Sequence, residues 1–399
     1  MNEQQEIFTA EQFRAQAVEL SQAMAELQRR DSKTIDPHDP FENETEFHDY
    51  QPDYTEIVPQ IRIPGCRIPL RANAREKGRI HRFNNIVGGL LLLHLVLSNG
   101  FAIGLEGLVL WLLKLTDGMS TAELPANYSD IAYDYFWNSS SMTAMNLLAF
   151  GIMNVLIVMI GCRVTKLPVA NFFRTHDFHA GTAIGYIAIG LLIQLTMGYA
   201  ATGLTDLFKG VDITLYEPSD TVTTELKAVV LSFIYSVLVA PVTEELLMRG
   251  FVLKNLSRVS QRFGIIASAF LFGIWHENVA QFLLAFVGGI FFGYIAVKHN
   301  SLVPSIICHM AVNCFAEVFT ICEDFGWETA DFVIGIIYFV LAFVGLILLI
   351  RMLIVERFPQ TTPRQAERTL RQALASPLLV AAVICHLAVA VLAIVSSSK

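Results

Sequence analysis

The chain has 399 residues, of which 54% are hydrophobic and only 16% are charged, whereas a soluble domain carries about 25% charged residues. This composition argues against a soluble globular protein and favours a chain whose main solvent is lipid. The formal net charge is −8, and an acidic chain of this kind is not expected to bind nucleic acid.

The N-terminal region differs in composition from the rest of the chain. Residues 1–60 contain 14 acidic and 4 basic side chains, a net charge of −10 that leaves about +2 for the remainder. Residues 4–30 have helical character, whereas 36–60 are rich in Asp, Glu and Pro and are predicted to be disordered. A basic linker, 61–83, favours an anionic membrane surface. We therefore predict that residues 1–83 form an acidic, partly disordered cytosolic tail and a basic linker.

Apolar stretches long enough to cross a bilayer, which requires roughly 20 residues, begin after this tail. The predicted spans are 84–115, 141–162, 180–201, 226–256, 263–281, 282–297, 301–321, 332–354 and 374–395. The segment 263–297 is either one bent hairpin or two short helices that meet around Glu277 and Asn278. The sequence thus predicts an all-α, polytopic transmembrane helix bundle of about eight to nine spans.

The distribution of charge between the spans predicts the orientation of the bundle. Lysine and arginine gather before the first span and after the second, fourth and eighth spans, whereas acidic residues dominate the alternate loops. This pattern predicts a multi-pass protein of the cell membrane with its N-terminus in the cytosol. Gly289 and Gly293 form a GxxxG pair, which permits close helix contact.

Most of the polar residues within the spans lie between 244 and 317, and a charge near the bilayer centre costs about 2.5 to 3.5 kcal/mol on insertion scales. Glu245 and Arg249 are four residues apart on one helical face and should pair with each other. Glu244 then remains the freer carboxylate, suited to act as a general base. The alternative is a cluster of interfacial charges at a helix end.

Two further pairs are spaced by one helical turn. Phe272 can pack against His276 and hold the imidazole, although a single histidine beside a tryptophan is more often a helix-packing residue. His276 and Glu277 begin an HExxH motif that fails at Ala280. His309 and Asn313 can both donate hydrogen bonds to an oxyanion, or they can join two helices.

Together, the motifs EExxxR at Glu244, Glu245 and Arg249, FxxxH at Phe272 and His276, and HxxxN at His309 and Asn313 resemble the CPBP family. That family comprises CAAX prenyl endopeptidases of the second type and bacteriocin-processing or immunity (Abi) proteins. The three motifs occur in order within residues 225–321, which are predicted to be the catalytic core. Residues 84–224 and 322–399 are predicted to supply flanking transmembrane helices.

The resemblance implies an intramembrane endopeptidase that hydrolyses a peptide bond in a membrane-associated or lipidated substrate. It implies that Glu244 and His276 activate water, that His309 and Asn313 stabilise the oxyanion, and that Glu245, Arg249 and Phe272 support them. No cofactor is favoured, although Glu244, His276 and His309 can supply three ligands to zinc. The alternatives are a non-catalytic membrane immunity or scaffold protein and a transporter.

Overall fold

The computed structural model describes residues 39–41, 72–116, 140–175, 178–210, 215, 224–360 and 363–397. The regular elements in these residues are all helical. They are α1 (Ala72–Thr116), α2 (Ser140–Thr165), α3 (Ala180–Lys209), α4 (Leu226–Leu256), α5 (Gln261–Trp275), α6 (Val279–His299), α7 (Val303–Asp324), α8 (Glu328–Val355), α9 (Pro363–Leu374) and α10 (Pro377–Ser397). A short 3₁₀ helix, Val169–Phe173, precedes α3.

Among the described residues, eight helices are long and apolar enough to cross a membrane, namely all of these helices except α5 and α9. Helix α5 is also apolar but has only 15 residues. The predicted all-α, polytopic bundle is therefore confirmed, and the chain is a multi-pass membrane protein.

Several helix boundaries differ from the predicted spans. Helix α1 begins at Ala72 rather than at 84, so that the second half of the predicted linker is helical. The region 263–297 consists of two helices that are separated at His276–Asn278, and the boundary predicted at 281 was wrong. Glu277 has φ +55, which ends α5. Asn278 starts α6, because its Oδ1 accepts hydrogen bonds from the N–H groups of Ala280 and Gln281 at 2.8 and 3.1 Å.

Close helix contacts fix the arrangement of the bundle. Helices α5 and α6 form a hairpin, α3 packs against α6 and α8, and α10 packs against α1. At Gly88 of α1, an added Cβ would lie 2.3 Å from the backbone of Leu379 in α10, so only glycine permits this approach. An added Cβ at Gly289 would lie 3.1 Å from Cα of Ala269 in α5. The close contact predicted from the GxxxG pair is therefore present.

A short piece of the N-terminal tail packs into the bundle. Asp39 and Phe41 are buried. Lys254 Nζ lies 2.7 Å from Asp39 Oδ1, and Asn171 Nδ2 donates to Asp39 Oδ2 at 2.9 Å. Lys254 also lies 4.2 Å from the centroid of the Phe41 ring. Residues 39–41 are therefore packed into the bundle, although the sequence predicted disorder for residues 36–60. The other predictions for residues 1–71 concern residues that the structure does not describe.

Candidate active site

Helix α4 changes its hydrogen-bonding pattern on both sides of the two adjacent glutamates. The π-helical segments Ile234–Val239 and Leu246–Leu253 flank the α-helical segment Ala240–Glu245. The Ala240 N–H donates to the Tyr235 carbonyl, five residues earlier, which is the π-helical register. Such interruptions of a helix are frequent at functional sites.

The side chain of Asn313 replaces a backbone donor that is missing from α4. If this pattern of bonds to the carbonyl five residues earlier continued, the N–H of residue 241 would donate to the Ser236 carbonyl. Pro241 has no N–H, and Asn313 Nδ2 instead donates to the Ser236 carbonyl oxygen at 2.8 Å. A side-chain amide has two N–H groups. One N–H of Asn313 therefore remains for another acceptor.

Glu245 and Arg249 form the ion pair that their spacing predicts. Arg249 Nη1 lies 2.9 Å from Glu245 Oε1, and the two side chains are only 1% and 0% exposed. The guanidinium group also packs on an aromatic face, 4.5 Å from the centroid of the Phe272 ring. Phe272 thus contacts both Arg249 and the neighbouring His276, whose ring centroid is 4.8 Å from its own.

His309 lies between the two adjacent carboxylates. Its Nδ1 is 3.1 Å from Glu245 Oε1, and its Nε2 is 3.9 Å from Glu244 Oε2. Among the described residues, Glu244 has no arginine or lysine within ion-pair distance, whereas Glu245 pairs with Arg249. The two glutamates therefore have different surroundings: Glu245 is held in an ion pair, and Glu244 is the freer of the two.

The position of His276 at the end of α5 determines which of its ring nitrogens is free. His276 Nδ1 lies 2.8 Å from the Phe272 carbonyl oxygen. A carbonyl oxygen can only accept a hydrogen bond, so Nδ1 carries the proton. In the neutral ring, Nε2 then has a lone pair that can accept a proton.

One cavity of about 200 Å³ brings these side chains together. Its lining includes Glu244, His276, His309 and Asn313. The remaining wall is mainly aromatic and small apolar residues from α3, α5, α6 and α7: Gly190, Ile193, Phe272, Leu284, Ala285, Gly288, Gly289, Phe292 and Val312. A carboxylate, two imidazoles and an amide thus face a common space in an apolar surrounding.

Comparison with known proteins agrees with this geometry. Residues 226–315 match the family of type II CAAX prenyl endopeptidases, Rce1-like. The matched residues, called the Rce1-like domain below, are similar to this CPBP-type family, as the motifs predict. No curated protein and no solved structure matches the chain. The matched region extends from α4 into α7 and contains all five polar residues that line the cavity, Glu244, His276, Gln281, His309 and Asn313. Helices α1 to α3 and α8 to α10 lie outside it.

Zinc binding by Glu244, His276 and His309 stays a prediction. In the part of the chain that the structure describes, no three His, Cys, Asp or Glu side chains are placed to hold a metal ion. His276 and His309 both direct Nδ1 to protein acceptors. Each ring therefore has only Nε2 available for another partner.

The Rce1-like domain also contains contacts that the sequence did not predict. Gln281, in the first turn of α6, lines the cavity, and its only signal in the sequence is a polar side chain at the start of an apolar helix. Asn154 of α2 donates to Thr243 Oγ1 at 3.1 Å. The spacing of the motifs does not reveal this contact beside Glu244.

Proposed function

We propose that this chain is an intramembrane endopeptidase that hydrolyses a peptide bond of a membrane-associated or lipidated substrate. The observation that carries the proposal is that Glu244, His276, His309 and Asn313 line one cavity within the Rce1-like domain. The family match supports a CAAX-type protease. The roles of individual residues are those that the family resemblance implies, and the geometry of the cavity supports them.

Water activation is assigned to Glu244 and His276. Among the described residues, Glu244 has no arginine within ion-pair distance, and His276 offers an unprotonated Nε2 because its Nδ1 is bonded to the Phe272 carbonyl. A water molecule between them loses a proton to this pair as its oxygen bonds to the carbonyl carbon of the scissile peptide. The same proton then passes to the leaving amine as the C–N bond breaks.

Stabilisation of the oxyanion is assigned to His309 and Asn313. Asn313 retains one N–H after its bond to the Ser236 carbonyl, and the Nε2 edge of His309 faces Glu244 across the cavity. Both side chains are anchored by a second hydrogen bond, to Ser236 and to Glu245 respectively. Because His309 Nδ1 donates to Glu245, its Nε2 can donate to the oxyanion only in the imidazolium form, and the proposal assigns His309 that form. Anchored donors of this kind need little reorganisation as negative charge develops on the carbonyl oxygen.

The mechanism requires no metal ion, and Glu245, Arg249 and Phe272 act by holding His309 and His276. We place the enzyme in the cell membrane with its N-terminus in the cytosol, as the distribution of basic residues indicates. Prenylated CAAX proteins are the substrate class that the family match supports, and a bacteriocin-type peptide is the alternative that the resemblance to the wider CPBP family implies.

The proposal is tested by comparing peptides from membranes of cells that contain either the wild-type protein or Glu244→Gln at equal abundance. We expect cleaved products that depend on Glu244 and precursors that accumulate in the variant. Identical peptide profiles would favour a non-catalytic immunity or scaffold protein. The identity of the accumulating precursor would distinguish prenylated from unmodified substrates.

A further inference from the structure

A second cluster of buried polar side chains lies outside the cavity. It consists of His94 of α1, Asn154 of α2 and His386 of α10, each of which is 1% exposed. None of the three lines the cavity, and all lie outside the matched residues 226–315. Polar groups in such positions are costly unless they are hydrogen-bonded, so their partners indicate what the cluster does.

One partner is the residue that precedes Glu244. Asn154 Nδ2 donates to Thr243 Oγ1 at 3.1 Å. The Thr243 hydroxyl in turn donates to the Ala240 carbonyl of its own helix at 3.3 Å. Helix α2 is thereby tied to α4 within the short α-helical segment that carries Glu244, between the two π-helical segments.

The other partners are the residues on both sides of His276. Trp275 Nε1 donates to His94 Nδ1 at 3.4 Å. His386 Nδ1 lies 2.9 Å from Glu277 Oε1. Glu277 has φ +55, an uncommon conformation for a residue with a side chain. A contact that holds Glu277 therefore also holds the turn that aims His276 into the cavity.

The hydrogen-bonding capacity of these residues is complementary. His94 accepts a hydrogen bond at Nδ1, so a neutral ring carries its proton on Nε2. Asn154, whose Nδ2 is occupied by Thr243, offers its Oδ1 beside this ring. Within the described residues, His94 Nε2 and Asn154 Oδ1 are both buried and neither makes a hydrogen bond. The open donor and the open acceptor therefore belong to the two residues that contact Trp275 and Thr243.

From these contacts we infer that His94, Asn154 and His386 are positioning residues, which hold Glu244 and His276 in register through Thr243, Trp275 and Glu277. The inference rests on the proposed function. It assigns a role in the reaction to α1, α2 and α10, the flanking helices that the Rce1-like match does not include. It also gives Glu277 a role other than that of the glutamate in an HExxH metal site.

The test uses the full chain in lipid nanodiscs and two pairs of variants. Glu277→Ala removes the acceptor for His386, whereas Glu277→Gln keeps an oxygen in its place. Asn154→Leu removes the bond to Thr243 at nearly constant volume. Thr205→Val, at a buried threonine of α3, is the matched control for loss of a polar group elsewhere in the bundle. Glu277 is 26% exposed at its side chain, so its replacement leaves no large cavity.

The first readout is hydrolysis of a prenylated CAAX peptide. We expect Glu277→Ala and Asn154→Leu to lower kcat about 10- to 100-fold while KM changes less than about twofold. Glu277→Gln should regain most of the rate, and Thr205→Val should match the wild type. Wild-type kcat in a folded Glu277→Ala protein would overturn the inference, as would equal losses in Glu277→Ala and Glu277→Gln.

The second readout is independent of turnover. The N–H groups of His276 and Glu277 are bonded to the carbonyls of Gly273 and Ile274 at 3.3 and 3.1 Å. Hydrogen exchange at these two amides should accelerate in Glu277→Ala but not in Glu277→Gln. If the wild type cleaves no peptide, the proposed function fails, and unchanged exchange in Glu277→Ala would separately contradict the positioning network.

Discussion

Asn313 Nδ2 lies 2.8 Å from the carbonyl oxygen of Ser236, an acceptor that the backbone of α4 leaves open because residue 241 is a proline. The irregular register of α4 and the position of a proposed oxyanion donor on α7 are therefore coupled. Loss of a backbone N–H at one position creates an acceptor that orients a side chain on another helix. Several expected outcomes follow from this coupling and from the charged groups around it.

Replacement of Pro241 by alanine should weaken catalysis indirectly, through Asn313 and not through a contact with the substrate. Residue 241 gains an N–H that competes with Asn313 for the Ser236 carbonyl, so Asn313 becomes less well held. We expect kcat to fall in Pro241→Ala, but by less than the roughly 100- to 1,000-fold loss expected for Asn313→Ala. Steady-state kinetics on a prenylated CAAX peptide measures both effects.

The double variant distinguishes coupling from independent damage. If Pro241 acts through Asn313, Pro241→Ala should add little to the loss already caused by Asn313→Ala. Asn99→Ala, at an exposed asparagine whose Nδ2 bonds to the Leu95 carbonyl, is a control that should retain full activity. If the fold-loss of kcat in the double variant equals the product of the two single losses, Pro241 and Asn313 act separately.

The Arg249–Glu245 pair should stabilise the fold far more than an exposed ion pair does. Removal of one partner of a buried pair typically costs about 3 to 5 kcal/mol, so Arg249→Ala should unfold at a markedly lower temperature in detergent. The comparison is Lys298→Ala, whose partner Glu356 is 31% exposed and whose loss should cost about 0 to 1 kcal/mol. Equal thermal midpoints for the two variants would contradict a strong contribution from the buried pair.

Acid should weaken the contact between the N-terminal segment and the bundle. Burial raises the pKa of the Asp39 carboxyl, but the Lys254 ammonium and hydrogen bonds from Lys254 and Asn171 outweigh it, and the pKa lies below its ordinary value. A carboxyl group whose pKa is lower in the folded state stabilises that state fully at pH values above its pKa in the unfolded chain, which is about 4. This contribution is lost as pH falls through the lower folded value.

The difference in thermal midpoint between wild type and Asp39→Asn should therefore shrink as pH falls from neutral to about 3. Asp39→Asn keeps the shape of the side chain but removes its charge. Asp206→Asn, at an exposed residue of α3, should show little difference from wild type at any pH. A constant difference for Asp39→Asn across this range would mean that its charge does not stabilise the folded protein.

Apart from the close helix contact at Gly289, the contacts that could be predicted from the sequence are those within one helix. The spacing of Glu245 and Arg249 predicts their ion pair because residues four apart share a helical face, and apolar length predicts most of the spans. The helix break near Glu277 could also be located, although its exact residues depend on the backbone of Glu277 and the cap at Asn278. These features follow from local rules.

Contacts between helices could not be predicted in the same way. Helical periodicity assumes a regular α-helix, whereas the π-helical segments of α4 shift the angular positions of the residues and expose the Ser236 carbonyl. The bond from Asn154 to Thr243 joins residues 89 positions apart. Asp39 reaches Lys254 across 215 positions, from a segment whose composition is typical of disorder. Such contacts depend on how the helices pack.

Chelation should leave the proposed reaction unchanged. Because the proposed mechanism assigns water activation to Glu244 and His276, incubation with a strong chelator followed by its removal should not lower kcat, and purified active protein should not contain stoichiometric zinc. Loss of activity with recovery on added zinc would contradict this mechanism. In that case His276→Ala and His309→Ala should each lose bound metal.

The most direct measurement is single-turnover hydrolysis by Glu244→Gln in lipid vesicles, with a prenylated CAAX peptide as substrate. Glutamine keeps the size and hydrogen-bonding reach of glutamate but cannot accept the proton of water. We predict no detectable hydrolysis, together with a wild-type thermal midpoint and unchanged peptide binding. Hydrolysis by Glu244→Gln at the wild-type rate would contradict the assignment of Glu244 as the group that activates water.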